Sequence, residues 1–255
     1  MKNKLDLTIP TNWQIISRDA LKIIACISML CDHIGKVFIL DLYGPDSFLY
    51  EFLRFGVGRI AFPVFCTLFI QGIMYTKNVE KHLIILGIFS LLSEPCYDFA
   101  SKHTWLEFTH QNVMLSWFIG CVTIAFMRKL YLIYKEIPLH KVVYILYNIL
   151  IILSFSVVAN FLYVDYRYVI AALCGIIFLL WHSHPEWQFW IPGTIVSVVV
   201  ALCYDVPWAV LAIPFMLFYD GTKIQKSTGV KRYGFYIFYP LHLLILGLIY
   251  QFTMV

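Results

Sequence analysis

Charge is scarce in this chain. Asp, Glu, Lys and Arg make up 13% of its 255 residues, where a soluble domain carries about a quarter. That deficit excludes an ordinary soluble globular protein. No CxxC occurs, and the seven cysteines (Cys26, Cys31, Cys66, Cys96, Cys121, Cys174, Cys203) fall mostly inside apolar runs. Such a set reads as small hydrophobes, not as disulfides or a metal site, and no metal is expected. The chain also lacks a Gly/Ser linker, a block of like charge and an internal repeat, so one domain over 1–255 is the economical expectation. Met1 to Ala20 is too polar for a signal peptide, and no small-residue cleavage pattern follows. The first apolar run is therefore expected to be a retained transmembrane helix. The net charge of +4 is dispersed, which argues against a nucleic-acid partner.

What is present is apolar: 61% hydrophobic residues, 18% aromatic, and a mean hydropathy of +0.78. The composition predicts an all-α, polytopic transmembrane helical bundle in contact with lipid. At roughly 17–25 residues per span, helices are expected at about 21–40, 53–76, 82–100, 111–130, 140–162, 166–183, 187–203, 206–219 and 233–253. The eighth is short and carries Pro207 and Pro214, so counts of eight to ten remain open.

Nine spans agree with the distribution of positive charge. The amino-terminal side carries Lys2, Lys4, Arg18 and Lys22, then Lys77 and Lys81. It also carries Arg128, Lys129, Lys135 and Lys141, and finally Lys223, Lys226, Lys231 and Arg232. Only Lys36, Arg54, Lys102 and Arg167 fall on the opposite side. This bias predicts a cytoplasmic amino terminus and an exoplasmic carboxyl terminus.

Against that background a few ionisable residues stand out. A charge near the middle of a membrane helix costs at least about 2.5–3.5 kcal/mol, so it is usually kept for a task. Asp32 and His33 are adjacent within the first run, and Arg59, Glu94 and His242 lie within others. At about 1.5 Å of rise per residue, these positions gather toward the outer half of the bilayer. Asp98, Asn112, Asp165 and Tyr166 join them at its outer edge. Asp32 has a simple structural partner in Lys36, four residues on. Arg59 cannot shed its proton, so a carboxylate partner is expected among Asp32, Glu94 and Asp98. Pro95 disfavours a helical backbone at Glu94, and a broken helix there would line a cavity. Asp98, Asn112 and Asp165, each taken alone, also fit caps or solvated helix ends.

Several segments, in order, resemble the TraX family of integral membrane proteins, which is distantly similar to the acyltransferase-3 group. They are Leu21-Lys22-Ile23-Ile24-Ala25 with Met29-Leu30-Cys31-Asp32-His33-Ile34-Gly35, and Gly58-Arg59-Ile60-Ala61-Phe62-Pro63-Val64-Phe65. Ser93-Glu94-Pro95-Cys96-Tyr97-Asp98 and Gln111-Asn112-Val113-Met114 follow. Asp165-Tyr166, Tyr219-Asp220-Gly221 and Phe238-Tyr239-Pro240-Leu241-His242-Leu243 complete the set. Ser116 stands where a threonine is expected, and Tyr219-Asp220-Gly221 replaces Tyr-Asn-Gly. The resemblance implies a bacterial cytoplasmic-membrane protein. It also implies transfer of an acetyl group from acetyl-CoA to an envelope peptide, glycan or small molecule, pilin being the acceptor for the namesake.

Acetyl transfer needs a base for the attacking amine or hydroxyl and donors for the developing oxyanion. His33 fits the base, oriented by Glu94 or Asp98, although His242 fits it too. Arg59 would meet charge or hold the acceptor, and Asp32 would orient Arg59 or His242. Asp98, Asn112, Asp165, Tyr166 and Tyr239 would line the acceptor site. Lys223, Lys226, Lys231 and Arg232 would grip the phosphates of acetyl-CoA, unless they only obey the charge rule. Two other classes use the same residue types: an ion-coupled transporter, and a non-catalytic assembly factor for surface structures.

Overall fold

The structure is a computed structural model that describes residues 13–137, 140–183, 190–204, 206–221 and 229–254, without the side chains of 229–232. Among these residues the chain is all-α. Its helices are α1 (Arg18–Tyr43), α2 (Phe48–Tyr75), α3 (Val79–Lys102), α4 (Val113–Glu136), α5 (Lys141–Phe161), α6 (Arg167–Ser183), α7 (Trp190–Cys203), α8 (Pro207–Leu217) and α9 (Gly229–Thr253). Six are long and apolar enough to cross a membrane, the last of them as Tyr233–Thr253, while α6, α7 and α8 are shorter apolar helices. This is a multi-pass membrane protein, with its helices where the apolar runs predict them. All seven cysteines are free, and Cys26, Cys66, Cys121 and Cys174 are buried like the small hydrophobes they resemble.

Polar residues just outside the apolar runs start the helices. Ser17, Ser47, Asn78, Asn112 and His140 each place a side-chain acceptor on an N–H of the first turn. Ser47 matters most, because it starts α2 at Phe48 and not near 53. Arg54 thereby lies well inside the helix instead of at its first residues. A second difference concerns Pro95, which does not break α3; the helix runs through it to Lys102. Proline removes one backbone hydrogen bond, and within a membrane bundle neighbouring groups can compensate for that loss.

The chain forms two compact units, 1–67 with 181–231 and 68–180 with 232–255, and the division falls inside α2, α6 and α9. In the first unit, α1 and α2 both leave α-helical geometry where they meet. Gly35–Ile39 of α1 and Glu51–Gly56 of α2 are π-helical, and Val57–Ile60 is a 3-10 turn. A π-turn is rare and concentrates at functional sites. The two helices touch closely: a Cβ at Gly58 would lie 2.7 Å from both the Asp32 Cβ and the Leu53 carbonyl oxygen. The Ser28 hydroxyl donates to the Val57 carbonyl at 2.6 Å and the Gly58 carbonyl at 3.2 Å, serving acceptors that the irregular backbone leaves open. Gly44, at φ 80°, makes the turn between α1 and α2. Ahead of α1, Ile16 pairs with the end of α8 through Ile16 N–H to Phe218 O (2.8 Å) and Asp220 N–H to Ile16 O (2.9 Å). The Tyr219-Asp220-Gly221 segment thus ties down the start of α1.

In the second unit, α3, α4 and α9 carry the polar residues, whereas α5 buries only Asn148 and Ala159. Stacked rings pack the interior, Phe69 on Trp117 at 4.8 Å and Phe89 on Tyr236 at 5.4 Å. Arg128 closes the end of α2 by donating to the Ile73 and Thr76 carbonyls at 3.1 and 3.0 Å.

The α1–α2 contact gives a direct test. Gly58→Ala is expected to cost about 1–3 kcal/mol by overpacking, seen as a drop of several degrees in thermal midpoint. Gly234→Ala, where nothing lies within 4 Å of the new methyl, is expected to be neutral or to stabilise by up to about 1 kcal/mol. Equal midpoints for Gly58→Ala and wild type would show that α1 and α2 do not meet this closely.

Candidate functional site

In the first unit the site grows from Asp32 and His33 on α1. Asp32 accepts a hydrogen bond from Arg54 Nη1 at 2.8 Å, and both side chains are largely buried. Neither Lys36 nor Arg59 is its ion-pair partner. The reason is local: the π-turn that begins at Gly35 alters the turn carrying Lys36, and the early start of α2 brings Arg54 opposite Asp32. A charge-assisted bond of this kind is shorter and stronger than a neutral one. The second oxygen, Asp32 Oδ1, is buried without a hydrogen-bond partner among the described residues. His33 is 6% exposed.

Arg59 follows the same helix into the 3-10 turn. Among the described residues no carboxylate lies within ion-pair reach of it. Its guanidinium carbon sits 5.1 Å from the Phe55 ring centroid, and its Nε is buried with no acceptor. The carboxylate partner expected from the sequence is therefore replaced by an aromatic face, a weaker source of negative potential.

In the second unit the hub is Asn112. Its side-chain oxygen caps α4 by accepting from the N–H groups of Met114 (2.9 Å) and Leu115 (3.3 Å). Its Nδ2 donates to the Ser90 carbonyl at 2.9 Å and to Glu94 Oε2, and its own backbone N–H reaches Glu94 Oε2 at 3.1 Å. One residue thus caps a helix and holds the carboxylate of the next. Glu94 Oε1 is buried with no hydrogen-bond partner among the described residues. Asp98, fully buried, accepts from the Glu107 N–H at 2.7 Å. The two carboxylates suggested as orienters of His33 are therefore both engaged within their own unit.

Around this hub lies the loop between α3 and α4. Lys102 pairs with Glu107, and Thr109 donates to the Glu107 carboxylate through both its N–H and its hydroxyl. The Lys102 ammonium and these two donors hold the Glu107 carboxyl far below the usual range, at about 2. His110 Nε2 lies 3.4 Å from Asp165 Oδ1, and the Ser116 hydroxyl donates to the Asp165 carbonyl. A serine therefore suffices where a threonine was expected. Tyr163, Tyr166 and Arg167 all have positive φ (53°, 62° and 37°), so this loop stores backbone strain beside Asp165.

On α9, Tyr239 is 2% exposed, and its ionisable neighbours are Tyr97, Asp165 and Glu94. One turn away, His242 Nδ1 is 2.7 Å from the Phe238 carbonyl, and its ring stacks on Phe238 at 4.6 Å. That bond makes Nδ1 the protonated nitrogen and leaves Nε2 with the basic lone pair.

The structure thus gathers Glu94, Asp98, Asn112, Asp165, Tyr166, Tyr239 and His242 in one unit. It gathers Asp32, His33 and Arg59 in the other. Lys223 and Lys226 lie outside the described residues, as do the side chains of Lys231 and Arg232. No group of His, Cys, Asp and Glu suited to a metal ion occurs among the described residues. Sequence reasoning missed Arg54, Ser28, Ser90 and Glu107. The Asp46-Ser47 pair before Phe48-Leu49-Tyr50 is a helix-start signal that could have placed the start of α2 at Phe48.

Asn112→Ala is expected to cost about 2–4 kcal/mol, the sum of a lost cap and a buried carboxylate short of donors, read as a lowered denaturation midpoint. A variant as stable as wild type would contradict the hub role. The Glu107 network predicts a pH dependence. Its contribution is complete above the ordinary glutamate value of about 4.3 and is lost only as pH falls toward about 2. Hydrogen exchange should therefore find the Thr109 amide still protected at pH 4.

Comparison with known proteins adds identity to this geometry. The family model described as TraX protein matches residues 17–250. A curated relative, "Probable fimbrial assembly protein FimC, serogroup H1" of Dichelobacter nodosus, is 28% identical over 248 residues, covering 89% of this chain and 92% of its own. No solved structure matches the chain significantly. With nearly its whole length matched, the chain belongs to the TraX protein family.

Proposed function

We propose that this protein is a membrane-embedded acetyltransferase. It moves an acetyl group from cytosolic acetyl-CoA to an amine or hydroxyl of an envelope or exported acceptor. The observation that carries the reading is His33. It is a histidine buried within a membrane helix, next to an ion-paired Asp32, in a family associated with acetylation of conjugative pilin. The relative's name, a fimbrial assembly protein, points to a pilin-type subunit as the acceptor class. The protein sits in the bacterial cytoplasmic membrane with its amino terminus inside and its carboxyl terminus outside.

In the reaction, the acceptor nitrogen or oxygen attacks the thioester carbonyl while an imidazole takes its proton. Negative charge gathers on the carbonyl oxygen, where a nearby cation such as Arg59 stabilises it. The C–S bond then breaks, and the leaving thiolate recovers the proton from the imidazolium. His33 is the base in this scheme. His242, its tautomer set by the Phe238 carbonyl, is the other histidine able to serve. Asp32, ion-paired with Arg54, steadies the α1 segment that carries His33. Glu94, Asp98, Asn112, Asp165, Tyr166 and Tyr239 line the acceptor side, and Lys223, Lys226, Lys231 and Arg232 attract the coenzyme phosphates.

A second reading follows from the same relative's name: an assembly factor without catalysis, in which the polar clusters are ion-paired supports. The two part cleanly in one experiment. Purified protein is given radiolabelled acetyl-CoA and a peptide or sugar acceptor, and acetyl transfer is followed. Transfer is expected for wild type, with a loss of about 10²–10⁴-fold in His33→Ala if that residue is the base. Full activity in both His33→Ala and His242→Ala would sink the enzymatic mechanism. No transfer by wild type, and no rise in its thermal midpoint with acetyl-CoA, would favour the assembly factor.

A further inference from the structure

The two arginines of α2 have opposite standing. Arg54 is compensated, with Nη1 2.8 Å from Asp32 Oδ2. Arg59 has no carboxylate among the described residues, and its buried Nε has no acceptor. The segment that carries it, Val57–Ile60, packs against α1 and against Pro207–Leu211 of α8. On those elements Asp32 is paired with Arg54 through Oδ2, and the Pro207–Leu211 side chains are apolar. An arginine cannot neutralise itself by losing a proton, and an uncompensated cation at membrane depth is costly. Among the described residues no anion meets Arg59, and its position suits one supplied from outside the chain.

The surroundings identify its source. Arg59 lies eleven residues into α2 from Phe48, about 16 Å along the axis at 1.5 Å per residue. A 28-residue helix is longer than the roughly 30 Å hydrocarbon core, so Arg59 is nearer to the interface at the Phe48 end. Helical side chains lean toward the amino terminus of their helix. The guanidinium of Arg59 does so, lying over Phe55, one turn nearer that end. Beyond Phe55, Phe48 and Phe52 stack on one another at 6.0 Å and are 80% and 49% exposed. An exposed aromatic edge runs down to a half-buried cation that snorkels toward the headgroups. A guanidinium fork suits a phosphate oxyanion, and the bilayer presents phosphate at that level with chains that aromatic rings accommodate.

We infer that Arg59 anchors a binding site for the phosphate group of an anionic lipid, with Phe48, Phe52 and Phe55 receiving its apolar part. Because Arg59 also figures in the acetyl-transfer scheme, this site is read by lipid-dependent thermal stability and not by activity. Arg54 is the internal control, because it makes the same kind of charge with a protein partner.

The test is thermal unfolding in detergent of wild type, Arg59→Gln, Arg59→Lys and Arg54→Gln. Each is measured with and without added phosphatidylglycerol, phosphatidylcholine or inorganic pyrophosphate. Phosphatidylglycerol at about a hundredfold its dissociation constant should raise the wild-type midpoint by about 5–10 °C, and phosphatidylcholine should do so less. Arg59→Gln should abolish that rise and leave the lipid-free midpoint equal to or above wild type. Arg59→Lys, which keeps the charge without the fork, should retain a smaller rise. Arg54→Gln should lower the lipid-free midpoint, since it strands Asp32, and still respond to phosphatidylglycerol. The proposal is overturned if Arg59→Gln lowers the lipid-free midpoint as Arg54→Gln does, because Arg59 would then have a protein partner. It is overturned equally if the phosphatidylglycerol rise is absent or survives in Arg59→Gln. A matching Arg59-dependent rise with pyrophosphate would replace the lipid with a soluble phosphate ester.

Discussion

A carboxylate placed among apolar helices must be met by donors, and the local architecture of both units follows from how Asp32 and Glu94 are met. Asp32 is held by a cation from the next helix, Arg54. Glu94 is held by neutral donors, the amide and backbone N–H of Asn112. The difference has consequences. An ion pair is directional and draws α1 and α2 together until only glycine fits at position 58. The Asn112 arrangement is a cap and a clasp in one residue, so the start of α4 and the wall of α3 are set by the same side chain. Removing one partner of either arrangement leaves a buried polar group unsatisfied, which costs more than the bond contributes when intact.

The irregular backbone in the first unit belongs to the same economy. A regular α-helix would satisfy its own carbonyls, and the π and 3-10 turns of α2 do not do so fully. Ser28 supplies the missing donor to Val57 and Gly58. The departure from ideal geometry therefore comes with compensation from the neighbouring helix. It places two arginines and an Asp-His pair at one crossing. In the second unit strain is stored in the loop after α5, where Tyr163, Tyr166 and Arg167 take left-handed backbone beside Asp165. Bonds from Gln111, Ser116 and His110 hold that loop in place.

For a TraX family member, these two clusters offer different chemistry. The first combines a buried histidine, a spent ion pair and an uncompensated arginine, suited to handling negative charge. The second combines carboxylates, a phenol and a histidine of fixed tautomer, suited to holding a donor-rich group.

The all-α membrane class and the positions of the apolar helices were legible from residue composition and run length alone. A bilayer demands that every backbone group be satisfied, and long apolar runs meet that demand as helices. The expensive residues, Asp32, His33, Arg59, Glu94 and His242, were equally legible, since their cost depends on position in a run and not on neighbours. Pairing was not. Lys36 looked like the partner of Asp32 because helical spacing assumes a regular helix, and a π-turn cannot be seen in a hydropathy pattern. Arg54 looked like a charge at the outer end of a span beginning near 53, whereas the cap at Ser47 starts the helix earlier. Pro95 looked like a break because one lost hydrogen bond is visible in sequence, whereas the packing that lets α3 continue is not. Sequence determined which groups had to be compensated; only the packing of one helix against another decided by which partner, because partners come from segments far apart in the chain.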